Sequence, residues 1–106
     1  MRRPWLQLVV LFAVDAPIRG YADQVAAHFN KYGIDVFINV RDSPPRASMI
    51  RPTQLYQIIA ASRADYIAVV GERNRVRSNL TARSGGRLSE MSVDDKLRTV
   101  LESWAR

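Results

Sequence analysis

Cysteine is absent from the 106-residue sequence, and histidine occurs only once, as His28. A chain without thiols has no disulfides, no thiolate zinc site and no cysteine nucleophile, and one histidine excludes a histidine-rich metal site. Lysine is scarce too, because only Lys31 and Lys96 occur among 16 cationic residues and the other 14 are arginine. We therefore expect no metal or other cofactor, and arginine is selectively enriched.

Catalytic patterns are lacking as well. His28 has no serine and acid arranged around it, so it is expected to be a partly exposed helical residue. Asp94 and Asp95, the only adjacent carboxylates, are explained by their favourable interaction with a helix N-terminus. Gly85 and Gly86 precede no lysine and hydroxyl pair of a phosphate-binding loop. The sequence therefore predicts a protein without a catalytic centre.

Length and composition are those of one folded domain. The chain is too short to form two domains, and its 47% hydrophobic and 25% charged residues are typical of globular proteins. A single domain over residues 1–106 is therefore expected.

The apolar run at residues 6–14 is too short to cross a membrane and lacks the cleavage site of a signal peptide. The run therefore predicts a buried strand. Because it is neither a signal peptide nor a membrane span, we expect an intracellular protein that does not contact membranes.

Hydrophobic patterning over residues 6–70 predicts alternating strands and helices. An almost continuous apolar run at residues 6–14, interrupted only by Gln7, and a continuous one at residues 66–70 are typical of strands covered on both faces, and residues 34–40 predict another strand. A first helix ends at Gly33, and its predicted apolar stripe contains Tyr21, Val25, Phe29 and Tyr32. A second helix begins near Pro52, and its predicted apolar face contains Leu55, Ile58, Ile59 and Ser62.

The last third of the chain predicts two short strands and a final helix. The strands are expected around residues 78–83 and 87–91, on either side of the Gly85-Gly86 turn. Ser92 and Asp95 form a capping pattern for the helix. Its predicted buried stripe contains Val93, Leu97, Val100, Leu101 and Trp104. The resulting fold class is α/β, with three layers, α/β/α, around a five-stranded mixed sheet.

Positive charge is concentrated in residues 41–87. This segment contains nine arginines and three carboxylates, whereas the remaining residues carry seven cations and seven anions, so the segment holds the entire net charge of +6. Guanidinium groups bind phosphate in a bidentate manner and stack on bases. The segment therefore predicts an anionic partner, foremost nucleic acid, and a solvated basic face is the alternative.

Four stretches of the chain carry a family resemblance. They are residues 32–36 leading into Val40-Arg41-Asp42, the pair Ile50-Arg51, residues 65–72, and residues 86–95. In this order and spacing they resemble the anticodon-binding domain of class II aminoacyl-tRNA synthetases, of the threonyl and prolyl type. The resemblance covers residues 5–104 and implies the same α/β fold. The chain departs from the family pattern at Met49 and Pro52, and it has several extra residues between Leu55 and Tyr66.

The resemblance implies roles for several arginines. Arg41 and Asp42 fall on the family's pair that helps to recognise anticodon bases, and Arg51 would direct a cation at the RNA backbone. A local ion pair and a solvated helical residue are the respective alternatives. The predicted RNA-binding residues are Arg41, Asp42, Arg46, Arg51, Arg73, Arg75, Arg77, Arg83 and Arg87.

The alternation of Arg73, Arg75 and Arg77 predicts, in an extended chain, three cations on one side of a strand. They would bind phosphates or, alternatively, protect a sheet edge from aggregation. Phe37 and Tyr56 have the aromatic rings that could stack on bases, but their spacing favours packing in the core.

Two functions follow as hypotheses. The first is a non-catalytic RNA-binding module that docks structured RNA, tRNA-like or ribosomal, through the arginine-rich segment 41–87. The chain would then be a stand-alone relative of the synthetase domain or a fragment of a synthetase. The second is a protein-interaction domain that kept the fold and lost the RNA, with another protein or a second copy of the chain as its partner.

Overall fold

The structure, a computed structural model, describes residues 2–11, 16–41, 52–84 and 86–105. These residues form five strands and four helices. In chain order the elements are β1 (Trp5–Leu11), α1 (Ala16–Lys31), β2 (Asp35–Arg41), α2 (Pro52–Ala61), β3 (Tyr66–Val70), α3 (Glu72–Arg77), β4 (Asn79–Ser84), β5 (Arg87–Ser92) and α4 (Val93–Trp104).

The five strands form one mixed sheet in the order β2-β1-β3-β4-β5. β1 pairs in parallel with both β2 and β3, whereas β4 runs antiparallel to β3 and to β5. The predicted fold class, an α/β fold around a five-stranded mixed sheet, is confirmed. The predicted first strand extended to residue 14. β1 ends at Leu11, and residues 12–15 lie outside the described part of the chain.

β1 lies inside the sheet, between β2 and β3, and both of its faces are covered. Leu6, Leu8 and Val10 belong to the larger core cluster, to which α1 and α4 contribute on one face of the sheet. Val9 lies on the opposite face, where Ile58 and Ile59 of α2 pack. Helices therefore cover the sheet on both sides, which is why β1 is apolar at nearly every position, with Gln7 as the exception, and does not alternate.

α1 contributes a stripe of fully buried side chains with helical spacing: Ile18, Ala22, Val25 and Phe29. The helix ends at Lys31, and Gly33 follows with φ of 85°, a backbone conformation that glycine adopts without strain. Tyr32 was predicted to lie in the buried stripe, but it falls in the turn beyond the helix and is 49% exposed.

α2 begins at Pro52, as predicted, and spans ten residues. Ile58 and Ile59 pack on the sheet, while the side chain of Leu55 lies outside the described part. Ser62 was predicted on the apolar face of the helix but lies just beyond its end. Its hydroxyl donates to the Gln7 side-chain oxygen at 2.6 Å and accepts from the Ala64 amide at 3.2 Å.

α4 begins at the predicted cap, where the Ser92 hydroxyl accepts a hydrogen bond from the Asp95 amide at 3.0 Å. Leu97 and Val100 are buried as expected. Leu101 was predicted to be buried as well but is 37% exposed, while Lys96, which no pattern indicated, is 7% exposed. The buried side of α4 is therefore rotated toward Lys96 relative to the predicted buried stripe.

The first residues of the chain are fixed at the amino-terminal end of the parallel strands. Arg2 donates two hydrogen bonds to the Asp65 carboxylate, at 2.9 and 3.0 Å, and the Trp5 amide donates a third at 3.0 Å. The Arg2 guanidinium also lies 5.0 Å from the ring centre of Trp104. Hydrogen bonding by Arg2 lowers the pKa of Asp65 against the opposing effect of burial, so this carboxylate loses its charge at a lower pH than an unpaired aspartate does.

Candidate nucleic-acid interface

Arg41 is the last residue of β2, at the carboxyl end of the parallel strands. Ligands of open α/β sheets bind outside this end of the sheet. The Arg41 side chain is exposed, and no described side chain pairs with it. Three other predicted RNA-binding residues, Asp42, Arg46 and Arg51, lie outside the described residues. Of the family-like Arg41-Asp42 pair, the structure therefore describes only Arg41.

α3 occupies the same end of the sheet and contains Arg73, Arg75 and Arg77. The prediction of an extended, strand-like arrangement for these residues is wrong. Residues four apart lie on the same side of a helix, whereas a residue two positions away points to another side. The structure accordingly brings Arg73 and Arg77 together and separates Arg75 from both.

The arginines of α3 all pair with carboxylates of the same chain. Glu90 of β5 lies 3.5 Å from the Arg73 guanidinium and 2.9 Å from that of Arg77. Arg75 pairs with Glu72, and these hydrogen bonds lower the pKa of Glu72 against a smaller effect of desolvation. Three arginines thus face two carboxylates. The excess of positive charge around α3 is therefore smaller than the alternating arginines in the sequence indicated.

Asn74 fixes the position of α3. Its side-chain oxygen accepts from the Gly71 amide at 2.9 Å, which caps the first turn. Its side-chain nitrogen donates to the Asn79 side-chain oxygen at 2.9 Å and to the Thr81 hydroxyl at 3.2 Å. Asn74 is 6% exposed, so these bonds satisfy a buried amide. At the other end Ser78 closes the helix with φ of 56°.

A pocket of about 390 Å³ lies between α3 and the β4–β5 hairpin. Its lining combines cationic, amide, hydroxyl, apolar and carboxylate groups, from Arg73, Asn74, Thr81, Leu88, Ser89 and Glu90. Asn74 and Glu90 were not predicted as site residues. Glu90 meets Arg77 across 13 residues of chain, and no short-range motif indicates such a contact.

Arg83 and Arg87 lie at the far end of the hairpin, next to its turn at Gly86. Both are exposed, and neither has a partner among the described side chains. Arg83 is four residues along β4 from Asn79, and Arg87 is three residues along β5 from Glu90, so about 10–13 Å of strand separates them from the residues next to α3 at ~3.3 Å per residue. Tyr56 of α2 reaches the same turn, where its hydroxyl donates to the Gly86 carbonyl at 3.4 Å.

The described candidate residues therefore form two groups. Arg41 and α3 lie at the carboxyl end of the parallel strands, since the ends of β2 and β3 are about two strand spacings, or ~10 Å, apart across β1. Arg83 and Arg87 lie at the opposite end of the sheet. A single ligand that contacts both groups has to extend along the β4–β5 hairpin.

The predicted placement of the aromatic candidates in the core is wrong. Phe37 is 59% exposed on the edge strand β2, with its ring edge-to-face against Trp5 at 6.5 Å between centres, and Tyr56 is 37% exposed. Branched, strand-like residues identified β2, but they did not show that α2 packs on β1 and β3 and, among the described residues, leaves this face of β2 open.

His28 is a half-exposed residue of α1, as predicted, and its Nε2 lies 2.9 Å from the Asp94 carboxylate. Within the described part of the chain, no cluster of acidic and histidine side chains has the composition of a metal site. None of the described helices is long and apolar enough to cross a membrane.

The fold occurs as one part of an aminoacyl-tRNA synthetase. No protein-family model and no curated protein sequence matches this chain. Among solved structures, it is similar to the prolyl-tRNA synthetase of Cryptosporidium parvum, which was determined with L-proline and AMP. The TM-score is 0.66 at 14% sequence identity, and the match covers 96% of this chain. The chain spans only 22% of that synthetase, so the two share the fold of a single domain.

Proposed function

We propose that this chain is a non-catalytic RNA-binding module of the type that class II synthetases use as an anticodon-binding domain. Its ligand is a structured RNA, tRNA-like or ribosomal, and its contacts come from segment 41–87. The main observation is Arg41, an exposed guanidinium without a described partner at the carboxyl end of the parallel strands. A synthetase of the prolyl type contains this fold as one of its parts, which supports the proposal.

The charges favour phosphate contacts by some arginines over others. Arg41, Arg83 and Arg87 are exposed and unpaired among the described residues, so binding RNA breaks no ion pair that the structure describes there. Arg73 and Arg77 share Glu90 and would have to exchange this carboxylate for phosphate. Arg41 and the hairpin arginines are therefore the primary contacts in this proposal, and α3 contributes less.

The test is the binding of a tRNA-sized RNA at several salt concentrations. Contact with about five phosphates predicts a slope of about −3.5 in a plot of log affinity against log salt, from ~0.7 per phosphate. Arg83→Ala should weaken all RNAs alike and make the slope shallower by up to about one unit, whereas Arg41→Ala should also reduce discrimination between loop sequences. Failure to bind at low salt, or binding that ignores salt, contradicts the proposal.

Arg98→Ala is the matched control. Arg98 is an exposed arginine of α4, outside segment 41–87, and it pairs with Asp95. Its removal changes the net charge as much as each test substitution does. An equal loss of affinity in all three variants would indicate only a general effect of charge and would contradict specific contacts by Arg41 and Arg83.

Exposed apolar side chains favour a second function, that of a protein-interaction domain. Phe37 is 59% exposed and Val76 is 69% exposed. The internal pairing of all three α3 arginines also reduces their availability for phosphate. This function predicts that RNA binding is weak at every salt concentration, and that substitutions at Phe37 affect partner binding while those at Arg83 do not.

A further inference from the structure

β2 is an edge strand with one open side. Among the described residues only β1 pairs with it. Trp5 is in register with Asp35, and the Asp35 amide donates to the Pro4 carbonyl at 2.9 Å. Odd-numbered residues of β2 therefore direct their backbone polar groups at β1, and Val36, Ile38 and Val40 direct theirs away from the sheet. This row of outward donors and acceptors can pair with another strand.

Within β2 itself, the usual sequence features that protect an edge strand are missing. Such strands carry lysine or proline, or a bulge that interrupts pairing. The interior of β2 contains none of these, and its charges are restricted to Asp35 at one end and Arg41 at the other. Phe37 adds an apolar ring that is 59% exposed next to the strand edge.

The sequence of β2 is complementary to itself in the antiparallel direction. Pairing two copies about Ile38 places Asp35 of each copy opposite Arg41 of the other. Val36 then faces Val40, Phe37 faces Asn39, and Ile38 faces its own counterpart. We propose that the open edge of β2 binds a second copy of this chain in this register, which joins the two sheets into one of ten strands about a two-fold axis.

The backbone is compatible with this register. Ile38 exchanges both of its outward hydrogen bonds with its counterpart, and Val36 does so with Val40, because all three direct their polar groups outward. Asp35 and Phe37 then fall at non-hydrogen-bonded pairs, where facing side chains approach most closely. A shift of one residue would oppose inward-directed to outward-directed groups, so only every second register is available.

The side chains select one of the available registers. A shift of two residues in either direction removes both contacts between Asp35 and Arg41, because it places Asp35 opposite Asn39 in one direction and Arg41 opposite Phe37 in the other. In the proposed register the diagonal neighbours of Phe37 are Phe37 and Arg41 of the second copy, both within reach of an aromatic ring. The exposed ring is covered. The two ion pairs close the ends of the strand pair, where the exposed Asp35 carboxylate also lies 3.2 Å from Arg3 of its own chain and keeps this contact.

Charge exchange at the two ends tests the pairing. Asp35→Arg places two arginines at each end of the dimer, and Arg41→Asp places two carboxylates there. Each single variant should weaken self-association about tenfold or more, since two attractive pairs become repulsive. An equimolar mixture of the two variants restores attraction at both ends, and the double variant D35R/R41D restores it within one chain.

The measurement is molar mass by sedimentation or light scattering, without RNA because Arg41 is also a proposed RNA contact. The wild type, the mixture and the double variant should reach twice the chain mass of 12.0 kDa at submillimolar concentration, and the single variants should remain near one chain mass. Arg63→Asp, an equal change of charge at an exposed residue outside β2, should leave the dimer intact.

Two results would overturn the proposal. A wild-type mass of 12.0 kDa at every concentration would mean that β2 does not bind its own copy. A dimer that persists in both single variants would require another interface. Recovery of the dimer in the mixture also shows that both single variants are folded, so loss of structure cannot imitate the expected result.

Discussion

Lys96 shows how strongly burial acts on a single residue. It is 7% exposed, and its ammonium nitrogen lies 5.8 Å from the ring centre of Tyr66. Burial lowers the pKa of Lys96 because a cation loses hydration when it leaves water. The contact with the Tyr66 ring compensates for part of this loss, at about 2 kcal/mol for a cation removed from water.

Replacing Lys96 with methionine should therefore stabilise the protein. Lys96→Met keeps the length of the side chain and removes the charge, and we expect the free energy of unfolding to rise by about 1 kcal/mol at neutral pH. The measurement is urea denaturation, with Lys31→Met as the control at an exposed site. A loss of 1 kcal/mol or more would show that the contact with Tyr66 outweighs the cost of burial.

The same substitution should change the dependence of stability on pH. The unfolded chain keeps the Lys96 proton up to the ordinary pKa of 10.5, whereas the folded chain releases it at a lower pH. Between these two pH values the unfolded state binds more protons than the folded state does. The free energy of unfolding therefore rises with pH in this range, and this gain is lost again as pH falls. The gap in stability between Lys96→Met and the wild type should narrow as pH approaches 10.5.

At the scale of elements, α3 depends on one buried amide. Asn74 hydrogen-bonds Gly71 at the helix start and Asn79 and Thr81 on β4. Asn74→Ala removes three bonds and leaves a buried amide without its acceptor, so we expect a loss of about 2–3 kcal/mol in the free energy of unfolding. Ser92→Ala is the control, since it removes one capping bond of α4 and should cost about 1 kcal/mol. Equal losses would contradict the proposed role of Asn74.

α3 also shows why local patterns mislead. Arg73, Arg75 and Arg77 alternate with other residues as they would on a strand, and the helix is only six residues long. Its stability comes from the bonds of Asn74 and the pairing with Glu90, which involve residues of β4 and β5. Arginine does recur at every second position of this segment, but this pattern did not determine the conformation. In so short a segment, tertiary contacts outweigh the weak intrinsic propensity of the residues.

At the scale of the whole molecule, the order of the strands predicts the pattern of amide hydrogen exchange. β1 and β3 have a strand on each side and helices on both faces, so their amides should exchange most slowly. The outward amides of Ile38 and Val40 should exchange quickly in dilute solution and slow down at concentrations where two copies pair. Protection of Ile38 equal to that of Val9 in dilute solution would contradict an open edge at β2.

The sequence by itself determined the sheet and most of its helices. Nearly continuous apolar runs identified β1 and β3 because a strand buried on both faces needs apolar side chains at most of its positions. Gly33, Pro52 and Ser92 predicted where helices end or begin, since their backbone and capping preferences are local. Charge counting located the arginine-rich segment, and the order of short family-like stretches indicated the α/β fold that a prolyl-tRNA synthetase contains as one of its parts.

Only the tertiary structure decided which side chains meet. It paired Arg73 and Arg77 with Glu90, buried Lys96, and exposed Leu101 and Phe37. It also separated Arg83 and Arg87 from α3 by about 10–13 Å of strand. These outcomes depend on the order of strands in the sheet and on which helix covers which face. Contacts between distant segments determine the strand order and the helix coverage, so no local pattern in the sequence predicts which side chains meet.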